Sequence, residues 1–267
     1  MGLTSLTATR LRLTKLHKRV NTHSEVIVLG TISESKYGDI WCPTYDGQAC
    51  LFDVESEKFI DVLQPIELST KQTNYVTRIY SLEKGIAWIL CENGYAFRVD
   101  EQLCKKGEGI TLYAPSNHNL KGDQIFNVYQ DSEEDEWILT DKGVSIIGKK
   151  TLDTDFPFQF ITQIKESIYL IAENDKLARY DFHTKKLKFV DIPYPHDKIN
   201  NVTTIGKDML ALGTDNGLIL YSIPQNSFQQ IDIRTATQTS NFVESVYQDC
   251  QGEIWIFSKD PGIVVLI

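Results

Sequence analysis

The chain has 267 residues and a formal net charge of −9 at pH 7, and 42% of its residues are apolar. Its acidic character argues against nucleic-acid binding, because proteins that bind nucleic acids need basic residues to displace the counterions of the phosphates. It contains no run of about 18 apolar residues, so the sequence predicts no transmembrane helix.

The first predicted element is a β-strand at residues 10–16, where leucines alternate with polar residues as they do in a half-buried strand. The alternative is that residues 1–20 form a loose basic tail. The stretch before Arg10 lacks the apolar middle region of a secretory signal peptide, so the sequence as given predicts a cytoplasmic location.

From residue 25 onward the chain repeats one pattern, which indicates a repeated supersecondary unit. Each unit contains a strand, a tight turn, a second strand with an apolar anchor, a turn closed by glycine, and further strands. The anchors are spaced 47, 49, 32, 42 and 44 residues apart, and they are Trp41, Trp88, Trp137, Tyr169, Ala211 and Trp255. All four tryptophans therefore occupy the same place in the motif.

Two further residue types recur in register with the anchors. A residue that tolerates positive φ stands six positions after the anchor, as hairpin turns require, namely Gly47, Gly94, Gly143, Asp175 and Gly217, with Gly262 one position late. An aspartate stands twelve positions after the anchor in three units, at Asp53, Asp100 and Asp181.

The second strands are apolar on successive residues, as in strands buried on both faces, whereas the outer strands alternate. We therefore predict an all-β fold, a β-propeller of six four-stranded blades in a single domain, residues 1–267. The predicted repeat units span residues 25–65, 76–113, 125–156, 158–192, 202–233 and 243–267. The third has a shortened outer strand near residues 151–156, and we expect the strand at 10–16 to complete the sixth.

The residues that commonly carry catalysis or bind metals are scattered. The five histidines show no metal or triad spacing, and we predict no metal and no cofactor. The acidic run at residues 131–136 could hold calcium, although a solvated hairpin turn is the more common use of such a run. Cys42 and Cys50 could link across a hairpin, the alternative being that they are buried free thiols.

The sequence gives little support to an enzymatic function such as that of a sialidase, because it contains few arginines. The turn at Asp249–Trp255 is close to the Asp-box of sialidase propellers, but those boxes are structural turns, and a sialidase also needs arginines gathered at the axis. Arg98 and Arg179 fall on predicted third strands that point away from the axis. The sequence thus predicts no enzyme, with a propeller hydrolase or lyase as the less favoured alternative.

Ligand-binding residues are expected on the loops between units, because binding residues concentrate on loops and ring-stacking or amide-bearing side chains suit sugars. The alternative is that these residues are ordinary turn formers. The candidates are Asn74, Tyr75, Asn117, His118, Tyr194, His196, Asn241 and Phe242.

Three segments carry the most distinctive part of the repeat, namely V-Y-Q-D-C-Q-G-E-I-W-I at residues 246–256, A-L-G-T-D-N-G-L-I-L-Y at 211–221 and A-R-Y-D at 178–181. These segments closely resemble the two-component regulator propeller repeat. In that family the propellers form the extracytoplasmic sensory part of hybrid sensor histidine kinases, many of which respond to carbohydrate breakdown products. The resemblance implies a periplasmic sensor module, although this sequence shows no kinase domain.

The sequence and the resemblance together predict a non-catalytic sensory or ligand-recognition propeller. An oligosaccharide or other small ligand is the expected partner, and a second propeller, either a copy of this chain or another propeller domain, is a further one. The alternative function is a protein–protein interaction scaffold.

Overall fold

The computed structural model describes residues 32–44, 47–63, 75–113, 120, 122–149, 152, 154, 156–235, 239–258 and 262–266. Regular structure within these residues is almost entirely β-strand, with one 3₁₀ turn at Cys104–Lys106. No helix in this part of the chain has the length and hydropathy to cross a membrane. The chain divides into two compact units, residues 1–125 and 126–267.

The first unit contains two four-stranded antiparallel sheets, in which each strand pairs with the next along the chain. The first sheet is formed by β1 (Ser33–Glu34), β2 (Ile40–Pro43), β3 (Ala49–Asp53) and β4 (Lys58–Leu63), and the second by β5 (Val76–Leu82), β6 (Ile86–Cys91), β7 (Ala96–Asp100) and β8 (Ile110–Tyr113).

The second unit contains four sheets of the same meander topology, two with four strands and two with three strands in the described residues. The third sheet comprises β9 (Ile125–Gln130), β10 (Glu136–Thr140) and β11 (Gly143–Ile146), and the fourth β12 (Phe158–Ile164), β13 (Ser167–Ala172), β14 (Leu177–Asp181) and β15 (Lys186–Val190). The fifth comprises β16 (Ile199–Ile205), β17 (Met209–Thr214), β18 (Gly217–Ser222) and β19 (Ser227–Ile231), and the sixth β20 (Val243–Gln248), β21 (Ile254–Ser258) and β22 (Gly262–Leu266).

Within each unit the cores lie between successive sheets, which explains the unbroken apolar second strands. In β13, Ile168 and Leu170 pack with Trp137 of the third sheet, whereas Tyr169 packs on the opposite face with Leu210 of the fifth sheet. Because side chains alternate between the two faces of a strand, both faces must be apolar when both are covered. Five of the six anchors are fully buried, and Trp255 of the last sheet is the half-buried exception.

The six anchors all lie on second strands, β2, β6, β10, β13, β17 and β21, as the repeat predicts. The residues six positions after the first five anchors all have positive φ, including Asp175 at 60°. The aspartates twelve positions after the anchor, Asp53, Asp100 and Asp181, each end a third strand.

One predicted boundary was wrong. The first strand of the fifth unit begins at Ile199 and not at Val202, because a β-bulge between Ile199 and Asn201 interrupts the alternation while Ile199 stays fully buried. In the third unit, where we expect a shortened outer strand near residues 151–156, the described residues form one bridge, between Val144 and Leu152. The predicted strand at residues 10–16 lies outside the described residues, as does the start of the first unit, and the single-domain organisation stays a prediction.

Candidate functional site

The turn between β9 and β10 is built around one carboxylate, that of Asp131. Its Oδ1 accepts hydrogen bonds from the backbone N–H groups of Glu133 and Asp135, each at 2.9 Å. Its Oδ2 accepts the indole N–H of Trp137 at 2.7 Å, and both side chains are buried. The first acidic residue of the run at 131–136 therefore holds the turn onto the anchor, and both of its oxygens have protein donors.

The last repeat uses the same device. Asp249 Oδ1 accepts the N–H groups of Gln251 and Glu253, and Oδ2 accepts the indole N–H of Trp255 at 2.9 Å. The hydrogen bond from Trp255 is the main reason that the pKa of Asp249 lies below its usual range. The spacing of six residues between carboxylate and indole is thus a structural signature of the repeat.

In the first repeat the two functions of the aspartate are divided between two residues. Ser35 Oγ accepts the turn N–H groups of Tyr37 and Asp39 at 3.1 and 3.0 Å, but a hydroxymethyl group is too short to reach the indole as well. The indole N–H of Trp41 instead donates to Glu101 at 2.9 Å, and this glutamate is fully buried. Ser81 donates to the same oxygen at 2.6 Å.

A second polar cluster supports the same pair of sheets. Lys105, from the 3₁₀ turn, bridges Asp39 at 2.7 Å and Asp53 at 2.5 Å. The hydrogen bond from Lys105 holds the pKa of Asp53 well below its usual range. The aspartate at the end of β3 therefore joins the first sheet to the second, which is a structural use of this repeat position.

Five of the eight predicted ligand-binding residues lie in the described part of the chain, and Asn74, Asn117 and His118 lie outside it. Tyr75 immediately precedes β5, and its side chain is 44% exposed. Its backbone carbonyl oxygen accepts the backbone N–H of Glu92 at 2.8 Å. A Cβ placed on Gly47 would come within 2.3 Å of the Tyr75 ring. The glycine of the first repeat therefore leaves room for the segment that enters the second sheet.

Tyr194 and His196 lie together before β16, against the glycine-equivalent turn of the fourth repeat. Tyr194 donates through its hydroxyl to the carbonyl oxygen of Phe228 at 3.1 Å. His196 donates from Nδ1 to the carbonyl oxygen of Tyr194 at 2.8 Å, and its Nε2 lies 3.4 Å from the carbonyl oxygen of Asp175. Both side chains thus have protein partners that fix their positions.

Asn241 and Phe242 precede β20 in the corresponding position of the last repeat. Asn241 Oδ1 accepts the N–H of Ile233 at 2.9 Å, and its carbonyl oxygen accepts the N–H of Gly217 at 2.6 Å. The neighbouring Phe242 is half-buried.

Asn216 joins these two loop segments and was not predicted from the sequence. Its Nδ2 donates to the carbonyl oxygen of Pro195 at 3.2 Å, and its Oδ1 accepts from Asn241 at 3.2 Å. Asn216 directly precedes Gly217, the periodic glycine of the fifth repeat. Its place in that turn is the sequence signal that could have identified it as a candidate binding residue. The structure therefore brings the Tyr194–His196 segment and Asn241 to one edge of the fourth and fifth sheets, where Asn216 links them. The Tyr194 hydroxyl points along the fifth sheet to Phe228 of β19.

A cavity of about 320 Å³ was also not predicted from the sequence. It lies within the second unit, between the β9–β10 turn and the end of β14. Its wall is aromatic, with Trp137 edge-on to Tyr180 at 5.2 Å between ring centroids and Phe182 beside it. This cavity lies at the edge of the sheets that carries the turns between first and second strands, opposite to the predicted loop residues.

The described residues contain no group of three or more His, Cys, Asp or Glu side chains placed to hold a metal ion. Lys149 forms ion pairs with Asp135 and, at 4.0 Å, with Glu133, so the acidic run already has a cation beside it. Arg98 and Arg179 lie on the third strands β7 and β14, as predicted.

No protein-family model and no curated protein matches the chain, but several solved structures are similar to it. The extracellular domain of a putative hybrid two-component system from B. thetaiotaomicron aligns with 91% of this chain and 34% of its own, at 15% identity and a TM-score of 0.65. That of a putative one-component system from the same organism aligns with 91% and 39%, at 16% identity and a TM-score of 0.61. The WD40 repeats of RRP9 align with 91% and 77%, at 10% identity and a TM-score of 0.62.

The fold is a β-propeller. At identities of 10 to 16% these similarities show a shared fold. The chain spans 34% and 39% of the length of the two extracellular domains.

Proposed function

We propose that this propeller is a non-catalytic recognition module that senses a small extracytoplasmic ligand, with carbohydrate-derived ligands as the first class to test. The observation that supports it most directly is the fold shared with two extracellular sensor domains. The similar structures named above are extracellular domains of putative two-component and one-component systems and WD40 repeats, which supports recognition over catalysis. All eight predicted loop residues remain part of the proposal.

The loop edge around Asn216 is the best-defined surface for this role. Tyr194, His196, Asn216 and Asn241 are held by hydrogen bonds to backbone carbonyls or to one another, which limits their conformational freedom before a ligand arrives. A preorganised surface binds more tightly because less side-chain entropy is lost on binding. Amide groups at such an edge suit the hydroxyl groups of a sugar.

A thermal-shift screen against mono- and oligosaccharides tests the proposal. A ligand at a hundred times its dissociation constant stabilises the folded state by about 2.7 kcal/mol, so a genuine ligand raises the melting temperature clearly. Asn216→Ala should reduce the shift, whereas Gln225→Ala, in the exposed β18–β19 turn at the other edge of the fifth sheet, should leave it unchanged. A panel that produces no shift at all would contradict the carbohydrate-sensing role.

One observation favours an interaction scaffold as the second candidate. On the outer face of the last sheet Tyr247 is 60% exposed, Ile263 57% and Phe257 36%, and Trp255 between them is only half-buried. The other face of this sheet packs on the fifth sheet, as successive sheets do throughout the second unit. The outer face therefore has the chemistry of a sheet-to-sheet interface.

For this scaffold role we propose a second copy of the chain as the occupant, because two identical apolar faces can pack about a twofold axis. Sedimentation should show a dimer that Ile263→Lys converts to monomer. Phe189→Lys, at an exposed aromatic residue on β15, should leave the dimer intact. A monomer at all concentrations would refute the scaffold role in this form.

A further inference from the structure

A row of three polar side chains crosses the fourth sheet on the face that packs against the fifth sheet. Tyr169 of β13 stands directly opposite Arg179 of β14, and Arg179 stands directly opposite Lys188 of β15. Directly opposite residues of an antiparallel pair have their side chains on the same face, with Cβ atoms about 5 Å apart. Tyr169 packs with Leu210 of the fifth sheet, which identifies that face. These three side chains form a donor row of one hydroxyl, one guanidinium and one ammonium group.

The hydroxyl of Tyr169 is buried, since the residue is 1% exposed, and it has no hydrogen-bond partner among the described residues. In the third and last repeats the anchor side chain donates to the aspartate six residues before it, Asp131 or Asp249. Gln163 occupies that place in the fourth repeat, and its side chain bonds instead to Ser132 of the neighbouring turn. An unpaired buried hydroxyl is destabilising, so the fourth repeat retains this donor at a cost.

The donor row also carries an excess of positive charge. Arg179 and Lys188 are like charges in directly opposite positions, which is a destabilising arrangement. The side chain of Arg179 is 42% exposed, its Nε donates to Ser167 at 2.9 Å, and its ion pair with Asp181 is long, at 3.4 Å. Lys186 stands directly opposite the same Asp181, whereas the exposed Lys188 forms no ion pair in the described part of the chain. On this face of β14 and β15 one carboxylate therefore stands against three cations, in a chain whose net charge is −9.

The hydroxyl and the guanidinium group are close enough to act on one ligand. Burial raises the pKa of Tyr169 to about 12, and the charge of Arg179 acts on that pKa in the opposite direction. The hydroxyl therefore carries its proton at pH 7 and is available as a donor. Lys165 and Asp208, from turns of the fourth and fifth sheets at the same edge, pair with each other and add no net charge.

We propose that the donor row binds a phosphate group. Arg179 and Lys188 would pair with its oxygens, and the Tyr169 hydroxyl would donate to a further oxygen. A tetrahedral oxyanion suits donors from three strands because its oxygens point in different directions, and a guanidinium group pairs with phosphate through two N–H groups. The long side chains of Arg179 and Lys188 have solvent-exposed ends that can move outward to admit the ion. This site goes beyond the proposed sensing surface around Asn216, and either can exist without the other.

Calorimetric titration of the whole chain tests the proposal, at low ionic strength because salt screens charge pairs at exposed positions. The probes are inorganic phosphate and glycerol phosphate, which distinguish the free ion from a phosphate ester, and glycerol is the neutral counterpart. Arg179→Gln should weaken phosphate binding about tenfold to a hundredfold, and Lys188→Gln, at a more exposed position, about twofold to fivefold. Arg234→Gln is the matched control and should bind as the parent chain does, because this exposed arginine lies beyond the end of β19 and pairs with Asp232.

Tyr169→Phe separates the binding role of the hydroxyl from a structural one. This variant keeps the ring in the core and should weaken phosphate binding about twofold to tenfold. In the absence of phosphate it should be at least as stable as the parent chain, because it removes an unpaired buried donor. A hydroxyl with a purely structural role would give the opposite pair of results, lower stability and unchanged affinity. Thermal unfolding without phosphate is measured for every variant, so that a loss of binding is not confused with a loss of fold.

The possible results fall into two groups. Binding of inorganic phosphate alone supports a site for the free ion, and tighter binding of glycerol phosphate supports a site for a phosphate ester. Failure of both probes to bind overturns the proposal, as do equal affinities of Arg179→Gln and Arg234→Gln for phosphate. A Tyr169→Phe variant that binds phosphate as tightly as the parent chain overturns it as well.

Discussion

The carboxylate of Asp131 joins a tight turn to a buried tryptophan, and its two functions can be separated by substitution. Asp131→Ala removes the acceptor for the indole N–H of Trp137 and for two backbone N–H groups of the turn. Asp131→Ser retains an acceptor for the turn, as Ser35 does naturally in the first repeat, but cannot reach the indole.

The burial of the pair sets the size of the effect. Trp137 is 1% exposed, so its N–H would remain buried without an acceptor, at a cost of about 1–3 kcal/mol. Each turn hydrogen bond adds about 0.5–1.5 kcal/mol. We therefore expect Asp131→Ala to lower the free energy of unfolding by roughly 2–6 kcal/mol and Asp131→Ser by roughly 1–3 kcal/mol.

Urea unfolding followed by far-ultraviolet circular dichroism measures both losses. The corresponding changes at Asp249 are the control, because the contacts are the same but Trp255 is only half-buried, and its losses should be smaller. Equal losses for Asp131→Ala and Asp131→Ser would show that the turn hydrogen bonds contribute nothing. A serine variant as stable as the parent would refute the role assigned to the indole contact.

Three further predictions concern single groups, all measured by chemical unfolding. Tyr169→Phe should leave the free energy of unfolding unchanged or raise it by about 1 kcal/mol, because it removes a buried hydroxyl that has no hydrogen-bond partner. Tyr221→Phe should lower it by about 1 kcal/mol, because it removes a hydrogen bond to Asn226. A Tyr169→Phe variant that is less stable than the parent would contradict the first expectation. Glu134→Gly should stabilise the protein by about 1 kcal/mol, because residue 134 has a φ of 65°, a left-handed conformation that strains every residue with a Cβ. A destabilised variant would show that contacts of the Glu134 side chain outweigh this backbone strain. Lys105 depresses the pKa of Asp53 in the folded state, so the stabilisation from this pair is present above the ordinary carboxyl pKa and is lost as pH falls through the folded pKa. Asp53→Asn should therefore destabilise the protein at pH 7 and make little difference to its stability in strong acid. An equal loss at both pH values would argue against the ion pair.

The fold could be predicted because two independent signals coincide at each anchor. All six residues of β6 are buried, and the sequence shows this as six successive apolar residues. The glycine six positions after the anchor marks a turn with positive φ, at 83° for Gly94. Repetition makes such signals readable, since an accidental match would not recur at every turn.

The parts that could not be predicted depend on contacts distant in sequence or on irregularities within a strand. Glu101 replaces an aspartate that would stand six residues before Trp41, yet it lies 60 residues after it, and no local pattern reveals the substitution. The cavity beside Tyr180 lies between the β9–β10 turn of the third sheet and the end of β14 in the fourth sheet, so its wall combines residues that are distant in sequence. The start of β16 at Ile199 depends on a bulge, which shifts the alternation by one residue.

The periodic glycine should have two separable roles, freedom of the backbone and space for the next repeat. A Cβ at Gly217, where φ is 102°, would lie 2.6 Å from the carbonyl oxygen of Ile231, whereas a Cβ at Gly148, where φ is 73°, meets nothing within 4 Å. Gly148→Ala should therefore cost only the backbone strain, about 1–2 kcal/mol. Gly217→Ala should cost more and should also disturb Asn241, whose carbonyl oxygen accepts the Gly217 N–H. Amide exchange around residue 241 measures that disturbance, and equal losses in the two variants, with unchanged exchange, would mean that the glycine serves the turn alone.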